Sequence, residues 1–83
     1  MRLDKFLKVS RLMKRRTVAN EACDAGRVLV NSKPARASYE VKPGDVLAIR
    51  LGSRTIRVKV AGVDAYATKE DASDLYQILS DDR

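Results

Sequence analysis

The sequence predicts an α+β domain, in which a helix pair packs on a small, mainly antiparallel sheet and a last helix closes the chain. Three observations predict it. Up to Gly26 the apolar residues recur at helical spacing. After Gly26 they alternate, and turn signals separate the alternating runs. Near the end, Ala72, Leu75, Tyr76 and Leu79 return to a helical rhythm. Eighty-three residues allow one domain, 1–83, with a modest core and no large enclosed pocket.

The first helix is expected over Leu3 to Ser10. Leu3, Phe6 and Leu7 sit at i, i+3 and i+4 and make its buried stripe. Arg2, Lys5 and Lys8 follow at spacings of three and form a cationic line on another face. Asp4 falls in the first turn, where a carboxylate suits the helix dipole. It also precedes Lys8 by four residues, the spacing of a helical ion pair. These local roles are expected ahead of a third, in which Asp4 orients a neighbouring arginine. Leu12 and Met13 plug the core between the helices, and Lys14-Arg15-Arg16 makes a basic link. The second helix is expected from Thr17, a good N-cap, with Glu21 in its opening turns. Val18, Ala22 and Ala25 keep the i, i+4, i+7 rhythm, while Ala19 and Cys23 line an adjoining side. Cys23 fills the inner face of this helix, and Gly26 stops it.

Val28 and Val30 form a strand that runs into the turn Asn31-Ser32-Lys33-Pro34. A short segment follows through Ala37 to Val41. Lys42-Pro43-Gly44-Asp45 places Pro and then Gly at the centre, the signature of a type II turn. Val46 to Leu51 alternates on Leu47, Ile49 and Leu51. Gly52-Ser53 is a two-residue hairpin signal. On the return strand Ile56, Val58 and Val60 face the core, and Thr55, Arg57 and Lys59 face water. The last helix is expected from Lys69 to Leu79. Thr68 is its N-cap, and Asp71 completes a capping box. Its other face is acidic, and disorder is expected only at Ser80 to Arg83.

The charge is uneven. Residues 1–60 carry fifteen Lys or Arg against five acids, a net of +10, and residues 61–83 carry two against six, a net of −4. Such asymmetry favours a polyanionic partner, with nucleic acid ahead of membrane. Cys23 is a lone cysteine and there is no histidine, which excludes an intrachain disulfide and a Cys/His zinc site. The four glycines (Gly26, Gly44, Gly52, Gly62) are scattered at turns, so no phosphate-binding glycine loop exists. No convergent set of catalytic groups is present, and no enzyme activity is expected. On residue types alone carboxylate ligation of a metal stays open, but the acids are spread along helices and turns. Phe6 and Tyr76 fall on core stripes. Tyr39 and Tyr66 are then the only aromatics left for stacking on bases. What remains is shape and charge recognition of folded RNA through its phosphates. With no signal-peptide core and no long apolar run, a soluble cytoplasmic protein is expected.

RLDKFL, SR, RRTVANEACDAGRVLVN and VKPGD, in that order, resemble the S4 RNA-binding domain family, named after the ribosomal protein. The family pattern is a helix opening with RLD, a helix ending in Gly, a V-x-V-N strand and a later GD turn. Here these are Arg2-Leu3-Asp4, Gly26, Val28 to Asn31 and Gly44-Asp45. The resemblance covers Arg2 to Leu51, and residues 52–83 add a hairpin and the last helix. Ser32 departs from it, since the family usually has Gly there. Cys23 departs too, at a position where a larger aliphatic residue is common. End to end, MRLDKFLKVSRLMKRRT through ASDLYQILSDDR is similar to small stand-alone members of the family that act in ribosome-associated quality control in Gram-positive bacteria.

That resemblance implies an S4-like fold and a non-catalytic RNA-binding factor. It would bind the rRNA of the obstructed large ribosomal subunit and the P-site peptidyl-tRNA, and support alanine tailing by a partner, RqcH. It implies no cofactor, no membrane, and a monomer off the ribosome. The family's RNA contacts would fall on Arg2, Lys5, Arg11, Lys14, Arg15 and Arg16, to which the cationic line adds Lys8. Heat-shock S4 proteins that rescue dissociated large subunits share RLDK and the helix pair and are the nearest alternative. They typically carry a longer basic C-terminal extension, which this sequence does not show. A different class of alternative is a protein–protein adaptor that uses the acidic last helix. S4 modules of pseudouridine synthases are also similar, but no catalytic domain follows here.

Overall fold

The computed structural model describes residues 1–63 and 72–82. Two helices come first, α1 (Leu3–Val9) and α2 (Arg16–Asp24). Four strands follow: β1 (Val28–Val30), β2 (Lys33–Pro34), β3 (Val46–Leu51) and β4 (Arg54–Val60). A 3-10 turn at Ala72–Leu75 leads into β5 (Tyr76–Asp82). The strands pair antiparallel in one sheet, in the order β2-β1-β3-β4-β5.

Side-chain alternation selects the covered face of the sheet. Val28 and Val30, Leu47 and Ile49, and Val58 and Val60 are buried, and Leu3, Phe6, Leu7, Ala19 and Cys23 from the helices cluster with them. Each large side chain fully buried in this way contributes about 1.5–3 kcal/mol. Met13 is buried and Leu12 packs partly against the same cluster, so the two do plug the space between the helices.

The turns follow their local chemistry. Gly26 ends α2 with φ +76, its amide donating to the Cys23 carbonyl at 3.0 Å and the Arg27 amide to that of Ala22 at 2.9 Å. This is the Schellman pattern, in which a left-handed residue satisfies orphan carbonyls. Asn31 and Ser32 both have positive φ, +51 and +73, and join β1 to β2 by a two-residue turn of the primed kind. Asp45 donates its amide to the Lys42 carbonyl at 3.1 Å, and Gly44 sits at φ +96, as the type II turn requires.

Five expectations need correction. The stretch from Ala72 is not helical beyond its single 3-10 turn. Tyr76, Gln77 and Ile78 pair with Val60, Lys59 and Val58, a bulge at Leu79 shifts the register, and Ser80 to Asp82 pair with Arg57 to Thr55. The apolar rhythm of so short a segment suits either structure, and pairing satisfies the backbone groups along β4, which a helix would not. The tail expected to fray at Ser80 is part of this strand as far as Asp82. Thr68, Lys69, Asp71 and Arg83 lie outside the described residues. Thr17 is not an N-cap: α2 starts at Arg16, the capping residue is Arg15, and no side chain caps the end. The face of α2 turned to the core is Ala19, Ala22 and Cys23, while Val18 is exposed. Leu51, read as the third core residue of β3, is exposed at the strand's end beside the Gly52-Ser53 turn.

Candidate nucleic-acid interface

The start of α1 is built by distant residues. The first amides of a helix lack partners within it. Here the Leu3 amide donates to the Tyr39 carbonyl at 2.8 Å and the Asp4 amide to the Ala37 carbonyl at 3.2 Å. Arg2 forms an isolated antiparallel bridge with Glu40, and the Val41 amide donates to the Met1 carbonyl at 2.8 Å. The Met1 amine reaches Glu40 Oε1 at 2.6 Å. Arg2 is thereby fixed in backbone position just ahead of α1.

Beside it lies Asp4, with its side chain only 3% exposed. Asp4 Oδ1 accepts from the Lys5 amide at 2.8 Å and from Arg2 Nε at 3.2 Å. Oδ2 accepts from Arg16 Nε and from Asn20 Nδ2, both at 3.3 Å, and makes a longer contact with Arg2 Nη2 at 3.5 Å. Burial would push this carboxyl up. The hydrogen bonds from Arg2, Asn20, Arg16 and the Lys5 amide outweigh it and hold the carboxyl below its usual range. Asp4 is therefore a buried anion that orients two arginines. The bond from the Lys5 amide is the local first-turn role expected of it, while the pairing with Lys8 is not formed.

Arg2 and Arg16 are each 48% exposed. Arg16 meets Asp4 through Nε alone, which leaves its terminal nitrogens with their donors for another acceptor. These two residues, fourteen apart in sequence, are the pair that the fold brings together. Lys14 and Arg15 are exposed in the link just before α2. Lys8 is exposed in the last turn of α1, and Lys5 is half-buried. Arg11 is exposed just past α1, with φ +63. A side chain with a Cβ in that conformation costs about 1–2 kcal/mol relative to right-handed backbone. Lys14, Arg15 and Arg16 also crowd the positive end of the α2 dipole, with no acid in its first turn. Each is a local disadvantage, and all occur at one cationic edge.

The residue that the sequence reading missed is Asn20. The signal was available: Arg16 and Asn20 stand four apart on one face of α2, and asparagine is a poor residue for a helix interior unless its side chain has a partner. Tyr39 is not a free stacking ring either. It packs against the core and its hydroxyl donates to Asp45 Oδ2 at 3.2 Å. Tyr66 lies outside the described residues. Cys23 is buried, and desolvation, with Asp4 and Asp24 nearby, pushes its thiol up to about 11. No helix among the described residues is long and apolar enough to cross a membrane.

Residues 1–47 match the S4 domain family. The RQC P-site tRNA stabilizing factor of Bacillus subtilis is 49% identical over 83 residues, covering all of this chain and 96% of that protein. The chain belongs to the S4 domain family. A second relative of this S4 protein is the heat shock protein 15 homolog of Haemophilus influenzae, 32% identical over 93% of this chain and 60% of its own length. In three dimensions the S4 chain overlays on heat shock protein 15 of Vibrio cholerae, whose structure is described as trimeric, with a TM-score of 0.88. The two are 26% identical, over 96% of this chain and 82% of the other.

Proposed function

We propose that this protein is a non-catalytic, cytoplasmic RNA-binding factor of ribosome-associated quality control that grips RNA phosphates with its cationic helix edge. On the ribosome it holds P-site tRNA on the obstructed large subunit, against rRNA and peptidyl-tRNA, while RqcH extends the stalled chain with alanine. Off the ribosome it is a monomer. The observation that carries the reading is the pair Arg2 and Arg16, both held by buried Asp4 and both half open to solvent. A guanidinium fixed by its Nε presents its remaining donors in a plane that suits a phosphate. Lys5, Lys8, Arg11, Lys14 and Arg15 extend the positive edge around it. The full-length match to factors named for stabilizing P-site tRNA supports the ribosomal setting.

The heat-shock reading is weaker, because the Haemophilus relative is 32% identical to this chain against 49% for the Bacillus factor. An adaptor built on an acidic last helix is withdrawn, since Tyr76–Asp82 is a strand.

The test is co-purification of variants with large-subunit–peptidyl-tRNA complexes, after circular dichroism confirms folding. Arg2→Ala and Arg16→Ala should each lower recovery about tenfold or more, as expected when a charged, bidentate contact is lost. Arg57→Ala removes the same charge from the exposed face of β4 and should leave recovery within about twofold. Equal losses would reduce the edge to a net-charge effect and overturn the reading. With about six cations on phosphates, log affinity should fall against log salt with a slope near −4 to −5.

A further inference from the structure

α2 carries two apolar lines, and only Ala22, which is buried, belongs to both. Ala19 and Cys23 are buried in the core. Val18, Ala22 and Ala25 line a groove whose other side is Leu12, Met13, Leu51 and Gly52. It has a volume of about 780 Å³, and Val18 beside it is 50% exposed. Among the described residues no aromatic side chain lines it. Four cations edge it, Lys14, Arg15, Arg27 and Arg50, against one acid, Glu21. Arg27 and Arg50 are tied together by backbone, the Arg50 amide donating to the Arg27 carbonyl at 2.9 Å. With Gly52 they line a smaller notch of about 390 Å³. Among the described residues neither guanidinium has a carboxylate partner.

We propose that this groove docks an acidic amphipathic segment of a protein partner, with apolar side chains on the Val18–Leu51 floor and a carboxylate on Arg27 and Arg50. The proposal goes beyond the RNA-binding role, since Val18, Arg27, Arg50 and Leu51 are not among the RNA contacts. An apolar floor gains from leaving water, and an amphipathic helix laid in a groove is a recurrent way to cover one. Two adjacent guanidiniums without an acid supply the matching charge and fix the register of the segment. Single-stranded nucleic acid fits less well, because its bases need aromatic planes for stacking and the groove has none.

The experiment uses fluorescence anisotropy on the full chain. The probe is a short fluorescein-labelled peptide of Leu and Glu, with Leu at i, i+3, i+4 and i+7. A control peptide of equal charge has Ser for Leu. The Leu peptide should bind about tenfold or more tighter than the Ser peptide, as burial of its apolar face requires. Val18→Ser and Leu51→Ser, on opposite walls, should each weaken it about fivefold. Arg50→Ala should weaken it and flatten its salt dependence. All three variants should still co-purify with large-subunit–peptidyl-tRNA complexes. Equal binding of the Leu and Ser peptides overturns the proposal, as does indifference to both Ser substitutions. Weaker binding of polyuridylate by both Val18→Ser and Leu51→Ser would put nucleic acid in the groove and overturn it as well. If Val18→Ser does not fold, Leu51→Ser on the other wall still decides. Failure of the peptide to bind while the Arg2 and Arg16 results hold would leave the RNA role standing alone.

Discussion

Asp4 and Asp45 gather nearly the same partners. Each accepts from an asparagine side chain, Asn20 at 3.3 Å and Asn31 at 3.2 Å. Each accepts from a backbone amide, that of Lys5 at 2.8 Å and that of Lys42 at 3.0 Å. The difference is the remaining partner. For Asp45 it is the Tyr39 hydroxyl, whose own titration is pushed upward by desolvation and then by Asp45. For Asp4 it is Arg2 and Arg16. Asp45, with Asn31 also accepting from the Val46 amide at 3.0 Å, ties the β1–β2 turn to the turn before β3. All of its hydrogen bonds serve the fold. Asp4 binds its arginines by one edge and leaves the rest of each guanidinium in water. The same carboxylate chemistry therefore does two jobs, and the partner decides which.

The sharpest way to break this contrast is Asp4→Ala. It makes the protein more positive, so a pure net-charge effect predicts tighter RNA binding. The expected outcome is an affinity at least about tenfold weaker, together with a stability loss of about 2–3 kcal/mol from several charge-assisted hydrogen bonds. Filter binding and urea unfolding measure the two. Asp45→Ala is the partner experiment. It should cost about 1–2 kcal/mol in urea unfolding and leave RNA affinity of the folded protein unchanged.

Acid adds a second separation. In the folded protein Asp4 lies below its ordinary value, so the unfolded chain takes up the proton first as pH falls. The stability it contributes is complete above about pH 5 and is lost as pH drops through the lowered value. Asp4→Ala should flatten that part of the acid limb, and thermal unfolding at a series of pH values reads it directly.

A smaller effect sharpens the cost of the cationic edge. Arg11→Gly should stabilise the protein by about 1 kcal/mol, because glycine takes the left-handed conformation without penalty. The same variant should bind RNA several-fold more weakly. A gain in stability without a loss of binding would remove Arg11 from the edge. Smaller still is Cys23→Ala, which should leave RNA affinity alone and cost about 1 kcal/mol for a small cavity.

These regions also differed in how far the sequence disclosed them. The two turns near Asp45 are local chemistry, so Asn31-Ser32-Lys33-Pro34 and Lys42-Pro43-Gly44-Asp45 could be read as turns from residue types, although Lys33–Pro34 is a strand and the bonds that tie the turns together are long-range. The arginines of the edge were legible by charge and by resemblance. Their buried holder was not, because Asp4 has a sound local role in a first turn and its use by Arg16 and Asn20 appears only when α2 folds back on α1. The start of α2 was misplaced for a related reason. Thr17 is the better cap by type, but the helix extends back to Arg16, whose side chain reaches Asp4. At the other end, Leu75, Tyr76 and Leu79 carry a helical rhythm. What decides their structure is β4, whose backbone groups they satisfy, and no window of a few residues contains that information.

The bulge at Leu79 has a consequence for how the molecule behaves in company. β5 is the outer strand of the sheet, and Ile78 and Leu79 on it are 58% and 49% exposed. A flat apolar outer strand invites another chain to add to the sheet and seed aggregates. Here the bulge bends the strand away from that geometry, and Asp81 places acid near its end, anchored to Arg54 across the pair. The acidic end of a basic protein thus serves solubility at high concentration, where the cost of an unguarded strand would be paid in precipitate.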